Sequence, residues 1–275
     1  MIINAFAKIN LTLDIVGRRQ DGYHNIDSVF QSVGLFDTLK IEKSDKISVY
    51  CEGIENENNI AYTAAKEFFE YTRIMGGVNI EINKNIPLLS GLGGGSADAA
   101  AVIEALCRLY ETPLDMEEKI KIALKCGADV PFFLYGGTAR VGGIGEKVEP
   151  LPDITGYYAL ILKSGEKIST ADMYKRVDTN PQTELFTDKF IKNGNYKEAF
   201  KNTGNAFSNF YKNAKLLSLL KSQNPLCVSL SGSGPSLFAV FDNETYVNKA
   251  KEYMQSNGYS PIVAPFVNRG FFVIE

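Results

Sequence analysis

A run of glycines is the first chemically informative feature of the chain. Gly91, Gly93, Gly94 and Gly95 follow a strand-like segment that ends at Pro87, and an Ala- and Leu-rich segment that favours a helix comes next. Adjacent glycines lose much backbone entropy on folding, so they indicate a backbone that approaches another group closely. Amide groups at the start of a helix bind anions such as phosphate. The segment therefore predicts a phosphate-binding loop, with a flexible turn as the alternative.

Two common phosphate loops do not fit this segment. The Rossmann pattern G-x-G-x-x-G fails because, counted from Gly91, Ser96 stands where the last glycine belongs. A Walker loop needs Gly-Lys-Ser/Thr, and the sequence contains no Gly-Lys pair. We expect the hydroxyl of Ser96 to cap the helix or to reach a phosphate or a Mg²⁺ ion. Asp98, in the first helical turn, would repel a phosphate, so it must point away from the nucleotide or act through a cation, and we favour the first.

Phosphoryl transfer to an alcohol also needs a proton acceptor and positive charge near the reacting oxygen. Asp129, in the segment GADVPFF, is expected on extended backbone before Pro131, where its carboxylate can accept the proton of an alcohol. Lys8 interrupts an apolar strand, and a buried lysine is costly unless it is paired. Its charge would stabilise a developing alkoxide. From these residues alone, a capping aspartate and an edge lysine with its head in water remain open alternatives.

Two adjacent ring side chains could recognise a flat base. In the segment DGYHNI, Tyr23 and His24 can stack on a base and hydrogen-bond its edge, although either alone is more often structural. His24 is the single histidine of the chain, which excludes a zinc site built from several histidines.

The elements that must position these groups follow from periodicity. Residues 2–16 alternate between apolar and polar side chains, which predicts a strand with one buried face, and Asn10, Thr12 and Asp14 fall on its other face. The first half also contains predicted strands around 39–41, 47–50 and 78–82, helices over 59–72, after the glycines to residue 110 and from Asp115 to Gly127, and a pair of strands within 132–148.

The second half has a different order of elements. A boundary in the run PLPDITG divides the chain into two predicted domains, residues 1–152 and 153–275. Beyond it we expect strands over 157–163, 226–230, 237–241 and 271–274, helical segments over 170–222, and a helix over 244–256. The order β-α-β-β-α-β is that of a ferredoxin-like domain.

The composition is that of an ordinary globular protein. With 45% hydrophobic and 22% charged residues, the chain of 275 residues can bury a core without disulfides, so its 4 scattered cysteines are expected to be reduced. A net charge of −3 argues against nucleic-acid and membrane-surface binding. There is no signal-peptide pattern and no apolar run long enough to span a membrane. We expect a cytoplasmic protein that is a monomer or a weak homodimer.

Four motifs in order along nearly the whole chain resemble the GHMP kinase superfamily: AFAKINLTLDIVGRRQDGYHNIDSVFQSV, PLLSGLGGGSADAAA, CGADVPFFLYGG and LSGSGPSLFAVF. The AKINL and DGYH motifs narrow the resemblance to members that act on a cytidine diphosphate derivative in the non-mevalonate route to isoprenoids. It implies a two-domain α+β kinase, with an N-terminal nucleotide-binding α/β domain, a ferredoxin-like C-terminal domain and an active site in the cleft between them. It also implies that ATP is the cofactor and that Mg²⁺ is held mainly through the ATP phosphates, with no protein ligand assigned to the metal.

The resemblance assigns roles residue by residue. Lys8 and Asp129 match the catalytic pair, and Asn10 matches a residue near the substrate hydroxyl. Tyr23 and His24 match a cytosine pocket, whose second aromatic wall is expected to be Tyr174. Two segments complete the predicted site: the ATP phosphate loop Pro87, Leu88, Leu89, Ser90, Gly91, Leu92, Gly93, Gly94, Gly95, Ser96 and Ala97, and a late glycine motif, Gly232, Ser233 and Gly234, that closes over it. Ala97 stands where many relatives carry a second small hydroxyl residue.

Two alternatives remain within this resemblance. The chain could be a kinase of the same superfamily that acts on homoserine, mevalonate or a sugar; DGYH argues against it because those substrates carry no base. It could also be a metabolite sensor without activity, and the presence of both Lys8 and Asp129 argues against this.

Overall fold

The computed structural model describes residues 1–163, 165, 168–182 and 184–274. Its strands are β1 (Ile2–Arg18), β2 (His24–Ser44), β3 (Ser48–Cys51), β4 (Gly77–Asn83), β5 (Thr138–Gly143), β6 (Lys147–Pro150), β7 (Tyr158–Lys163), β8 (Gly204–Asn205), β9 (Cys227–Leu230), β10 (Ser236–Phe241), β11 (Ile262–Pro265) and β12 (Phe271–Val273). Its α-helices are α1 (Ile60–Thr72), α2 (Gly94–Leu109), α3 (Met116–Cys126), α4 (Val130–Tyr135), α5 (Thr170–Thr179), α6 (Thr187–Ile191), α7 (Tyr196–Ala199), α8 (Ala214–Lys221) and α9 (Glu244–Ser256).

Two long strands organise the first sheet. β1 and β2 pair antiparallel from Ile2–Lys40 at one end to Arg18–His24 at the other, and the sheet runs β12-β1-β2-β4-β3 with β5 also on β2. β2 has 21 residues, so the prediction of a short strand around 39–41 was wrong in extent. The register shift between Phe6 and Ala7, which pair with Phe36 and Val33, is the physical reason, because extra residues in β2 interrupt the alternation from which a strand is predicted.

The helices α1 to α4 cover one face of this sheet. The predicted helices over 59–72 and from Asp115 to Gly127 are confirmed, and Asp115 and Glu118 form the expected capping box. α2 begins at the glycines, and its Ala-rich face has no exposed surface where it packs against the core. The start of α2 is therefore held rigidly against the sheet.

The segment over 132–148 differs from its prediction. Residues 132–135 belong to α4, and the paired strands begin only at Thr138. Pro131 lies in the first turn of α4, where its missing N–H costs no hydrogen bond, so the proline starts a helix here. The apolar sequence VPFFLY fits a buried helix turn as well as a strand, which periodicity does not distinguish.

The second sheet has the strand order β11-β7-β10-β9, all antiparallel. Numbered within the unit, this is the order 4-1-3-2 of a β-α-β-β-α-β fold, which confirms the ferredoxin-like expectation. The fourth strand, however, is Ile262–Pro265, whereas the predicted last strand pairs with Ile3–Ala5 in the first sheet. A four-residue strand that contains a proline gives little sequence signal. The division at residue 152 stays a prediction.

Both faces of β1 are buried, which corrects the expectation of one exposed side. Asn10, Thr12 and Asp14 are almost fully inaccessible. Asp14 accepts hydrogen bonds from the backbone N–H groups of Phe186 and Thr187, so the C-terminal half of the chain covers this face. Buried polar groups require such partners, and the polar stripe of β1 marks where the two halves meet.

Candidate active site

A cleft of about 910 Å³ opens between the β1–β2 pair, the glycine segment, the start of α4 and helix α5. We call residues 87–97 the glycine loop and residues 232–234 the late glycine loop. Most of the residues singled out by the sequence line this cleft: Lys8, Asn10, Tyr23, His24, Leu89, Gly91, Gly93, Ser96, Asp129, Tyr174, Gly232 and Ser233.

Lys8 lies at the bottom of the cleft on β1. Its Nζ donates to Oδ1 of Asn10 at 2.6 Å, stands 3.6 Å from Oδ2 of Asp129, and lies 4.4 Å from the ring centroid of Phe30. Burial lowers the pKa of Lys8, and the charge of Asp129 opposes that shift without reversing it. The open alternative of an edge lysine is wrong, because only 4% of the side chain is exposed.

Asp129 faces Lys8 from the N-cap position of α4. Its backbone is helical, with φ −82° and ψ −13°, so the expectation of an extended segment before Pro131 was wrong. Its side chain caps nothing, because no described N–H of α4 is bonded to it. The carboxylate is 35% exposed towards the cleft and retains oxygen lone pairs for a ligand. The side chain is thus not a helix cap, and its oxygens face the cleft.

Asn10 joins Lys8 to the C-terminal half of the chain. Its Oδ1 accepts from Nζ of Lys8 and from the backbone N–H of Gly232 at 2.8 Å, and its Nδ2 donates to Oγ of Ser28 at 3.1 Å. One amide side chain therefore fixes the lysine relative to the late glycine loop.

The glycine loop is shaped by residues that cannot carry a side chain. Gly91 and Gly93 have left-handed backbone conformations, and a Cβ on Gly91 would stand 2.3 Å from the carbonyl oxygen of Ser231. The hydroxyl of Ser231 donates to the carbonyl of Gly91 at 2.9 Å, and the N–H of Ser236 donates to the carbonyl of Ser90 at 3.2 Å. These contacts hold the glycine loop against the C-terminal half.

A second cavity of about 240 Å³ adjoins the cleft on the far side of the glycine loop. Gly93 is the N-cap of α2, so Ser96 is not the cap that the sequence suggested; its hydroxyl lines both cavities instead. The first amides of a helix have no partner within the helix, and here they belong to the cavity wall. The glycine-loop residues around this cavity are Pro87, Leu88, Leu89, Ser90, Gly91, Gly93, Gly94, Gly95 and Ser96.

Three residues of the predicted site lie elsewhere. Among the described residues, Leu92 and Ala97 line neither cavity, because both are buried in the core. The carbonyl of Leu92 nevertheless accepts the N–H of Lys8 at 2.9 Å, which ties the glycine loop to β1. Gly234 lines a neighbouring cavity of about 510 Å³ with Arg176.

A buried triad of Asp37, Lys84 and Asp98 lies beside the glycine loop, and only Asp98 drew attention in the sequence. Lys84 Nζ donates to Asp98 Oδ2 at 2.7 Å and also to Asp37. Oδ1 of Asp37 accepts the N–H groups of Asn85 and Ile86 at 2.7 and 2.8 Å. Burial raises the pKa of Asp98 to about 8, and Lys84 opposes that shift. Asp98 points away from the cleft as expected, and the triad anchors both ends of the loop.

The proposed base pocket is closed by stacking between two rings. Tyr174 on α5 stacks on His24, with ring centroids 4.6 Å apart and planes 12° from parallel. Burial raises the pKa of Tyr174 to about 12, and Asp129 adds to that rise, so the phenol stays neutral. Tyr23 is 61% exposed at the mouth of the cleft. The structure thus brings the three ring side chains into the cleft that the glycine loop also lines.

Asp178 is a cleft residue that the sequence gave no reason to select. Its Oδ1 stands 2.7 Å from Nε2 of His24, and its Oδ2 stands 3.4 Å from Arg18. The acidic residue lies in a helix of ordinary surface pattern, and its partner is distant in sequence. Its spacing of one helical turn from Tyr174 was the available signal.

Metal and membrane features are absent from the part of the chain that the structure describes. No group of three or more His, Cys, Asp or Glu side chains is arranged there to hold a metal ion. Within the same residues, no helix combines the length and apolar character needed to cross a membrane.

Family comparisons match both halves of the chain. Residues 59–137 match the family described as "GHMP kinases N terminal domain", and residues 191–260 match "GHMP kinases C terminal". The first match includes the glycine loop and Asp129, and the second includes the late glycine loop.

Individual relatives carry more specific names. A 4-diphosphocytidyl-2-C-methyl-D-erythritol kinase of Thermosipho africanus is 38% identical over 268 residues, which is 93% of this chain and 97% of the relative. One of Clostridium acetobutylicum is 37% identical over 263 residues, 90% of this chain and 94% of the relative. A crystal structure of a 4-(cytidine 5'-diphospho)-2C-methyl-D-erythritol kinase superposes with a TM-score of 0.82 at 29% identity, covering 97% of this chain and 99% of that one.

Proposed function

The chain belongs to the GHMP kinases and, within them, to the 4-diphosphocytidyl-2-C-methyl-D-erythritol kinases, and from this membership we propose the reaction that it catalyses. It transfers the γ-phosphate of ATP to the 2-hydroxyl of 4-diphosphocytidyl-2-C-methyl-D-erythritol. The products are ADP and the 2-phosphate, an intermediate in the non-mevalonate synthesis of isoprenoid precursors.

The observation that carries this proposal is the placement of Lys8 and Asp129 beside the glycine loop. A partly exposed carboxylate faces a buried ammonium at 3.6 Å, in a cleft that the glycine loop borders. Asp129 accepts the proton of the attacking hydroxyl. Lys8 keeps Asp129 ionised and stabilises negative charge on the nascent alkoxide. Asn10 fixes the Lys8 head group.

The glycine loop supports the assignment of ATP as the phosphate donor. Its amides at the start of α2 suit the β- and γ-phosphates, and the cavity on its far side leaves room for the rest of the nucleotide. Mg²⁺ would be held mainly through the ATP phosphates, and the hydroxyl-bearing Ser96 lies at the same cavity. When bound, Mg²⁺ neutralises phosphate charge.

The ring side chains in the cleft support the cytidyl substrate. Tyr23 offers a phenol face and His24 an imidazole edge to a nucleobase, and Tyr174 is stacked on the imidazole. The cleft of about 910 Å³ is also deep enough to take the diphosphate and the methylerythritol towards Asp129.

ADP release tests the proposal directly. The protein is incubated with ATP, Mg²⁺ and 4-diphosphocytidyl-2-C-methyl-D-erythritol, beside homoserine, mevalonate and galactose as control substrates. We expect ADP only with the cytidyl substrate. ADP formation with a control substrate would support a kinase but contradict the assignment of the cytosine pocket. A folded sample that is inactive with all four substrates would favour a metabolite sensor.

A variant tests the role of the base. Asp129→Ala should lose nearly all turnover, while its affinity for ATP, measured by calorimetry, stays within about threefold of the wild type. Near-normal turnover in this variant would contradict the assignment of Asp129.

A further inference from the structure

His24 is held on two sides by one helix. Tyr174 and Asp178 are one turn apart on α5, so their side chains lie on the same face of the helix. Tyr174 stacks on the imidazole, and Asp178 contacts its Nε2 atom at 2.7 Å. The imidazole is also buried, with 7% of the side chain exposed. Ring plane and ring edge are therefore both fixed.

The contact with Asp178 decides which nitrogen carries the proton. A carboxylate only accepts hydrogen bonds, so Nε2 must be the N–H of a neutral His24 ring. Nδ1 is then an acceptor. No described residue hydrogen-bonds Nδ1, and His24 lines the cleft, so this acceptor is available to a ligand.

The second oxygen of Asp178 keeps the carboxylate in this orientation. Oδ2 stands 3.4 Å from Nη1 of Arg18 at the end of β1, which leaves Oδ1 for His24. Hydrogen bonding by His24 lowers the pKa of Asp178, and Arg18 adds to that effect, so the group remains an acceptor at neutral pH. Through Arg18 and His24, Asp178 joins α5 to both β1 and β2.

An acceptor at this position distinguishes two bases that differ at one edge. Cytosine presents an exocyclic amine, which donates hydrogen bonds, where uracil presents a carbonyl, which accepts them. Nδ1 as an acceptor pairs with the amine and opposes the carbonyl. A polar group that lacks its partner is the usual basis of strong rejection.

We propose that Asp178 is a positioning residue that holds His24 with Nδ1 as a hydrogen-bond acceptor and thereby selects a cytidine diphosphate moiety over a uridine diphosphate moiety. The inference rests on the proposed function, whose substrate carries that base. It assigns to α5 a role in substrate discrimination, separate from the chemistry at Asp129.

Nitrogen NMR tests the first half of the proposal without any activity measurement. His24 is the chain's single histidine, so ¹⁵N-histidine labelling gives one pair of ring signals that needs no assignment. In alkaline buffer, where an ordinary imidazole is neutral, we expect the wild type to show Nε2 protonated and Nδ1 unprotonated. Asp178→Ala should give mixed tautomers. Protonated Nδ1 in the wild type would overturn the proposal.

Binding of CDP and UDP tests the second half. Both are titrated calorimetrically with a non-hydrolysable ATP analogue present at saturation, so that the glycine loop is occupied. The wild type should bind CDP about tenfold or more tightly than UDP. Asp178→Ala should bring the two affinities within about threefold, mainly by weakening CDP, while Asp178→Asn, which can still accept from Nε2, should retain part of the preference.

Asp172→Ala is the matched control, since Asp172 is an exposed acid on the same helix, paired with Lys175 and outside the cleft. It should keep the CDP preference and the tautomer of the wild type. An unchanged preference in Asp178→Ala would refute the role of Asp178. A wild type that binds neither diphosphate, yet has the expected tautomer, would instead count against the proposed function.

Discussion

Two lysines border the glycine loop, and their surroundings differ in a way that fits the catalytic role proposed for Lys8 and a structural role for Lys84. Lys84 donates to two buried carboxylates, Asp37 and Asp98. Lys8 is bonded to a neutral amide, and its carboxylate neighbour Asp129 is 3.6 Å away and partly exposed. The first lysine therefore has two buried carboxyl groups at hydrogen-bonding distance, and the second has none among the described residues.

The pKa shifts of the two lysines follow from this difference. Burial lowers the pKa of both, but Asp98 and Asp37 together outweigh burial at Lys84, whose pKa is raised. At Lys8 burial prevails, and the pKa is lowered. A lysine without a close carboxylate partner can interact with a negative charge that develops during the reaction. A lysine that is already paired with carboxyl groups serves to stabilise the structure.

Replacing Lys8 should give the largest effect in this comparison. Lys8→Met should lower kcat about 10³-fold, equivalent to about 4 kcal/mol, because the developing alkoxide and the ionised base lose their cation. Its thermal stability should be unchanged or higher, since an apolar side chain replaces a buried charge. Turnover and a melting curve on the same sample check both. A loss of stability without loss of turnover would reverse the roles given to the two lysines.

Replacing Lys84 should reduce stability more than turnover. Lys84→Met leaves Asp37 and Asp98 buried without their cation, which should destabilise the fold by about 3 kcal/mol. Denaturant unfolding measures this loss, and Lys84→Arg is the control that retains the charge. In the fraction that remains folded, kcat should fall much less than in Lys8→Met. A stability equal to the wild type would show that the triad does not anchor the loop.

Asp98 provides a smaller, pH-dependent test of the triad. Its pKa rises from 3.8 to about 8 in the folded state, so the folded protein binds a proton that the unfolded chain releases between these values. The wild type should therefore lose stability through this group as pH rises across that window, whereas Asp98→Asn should not. Between pH 5 and 8.5, the free energy of unfolding of Asp98→Asn should increase relative to that of the wild type by about 1 kcal/mol or more. Parallel stability curves would contradict it.

The alkaline limb of the rate profile should give the smallest effect. Lys8 must be protonated to act, and its pKa is lowered from 10.5, so kcat/KM should decline at a pH below that of an ordinary lysine. Lys8→Arg should be slower but should lose this limb, because arginine stays charged. A wild-type profile flat to pH 10 would place the functional lysine elsewhere.

The residues proposed for the site from the sequence are those that carry a local signature. Consecutive glycines, a lysine in an apolar strand and an aspartate before a proline are visible in short windows, as is the Tyr23–His24 pair. Asp37, Lys84 and Asp178 gave no such signal, because each acts through a partner distant in sequence or on another element. Side-chain pairing across a fold depends on tertiary packing, which periodicity does not encode.

The secondary structure also divides into elements that local sequence predicts and elements that it does not. Helices with strong caps, such as α3, were predicted to within a few residues, while the 21-residue β2 and the helical turn at Asp129 were not. A bulge interrupts the alternating pattern of β2, and a buried apolar run of six residues fits either a helix or a strand. Local rules fail where neighbouring elements decide the conformation.

The pairing of β12 with β1 has a consequence for synthesis of the chain. Ile3 pairs with Val273, and the N–H of Phe6 donates to the carbonyl of Gly270. The strand that carries Lys8 thus gains its outer neighbour only after nearly the whole chain has left the ribosome. Until then the first part of β1 is an unpaired sheet edge, which is prone to associate with other nascent chains.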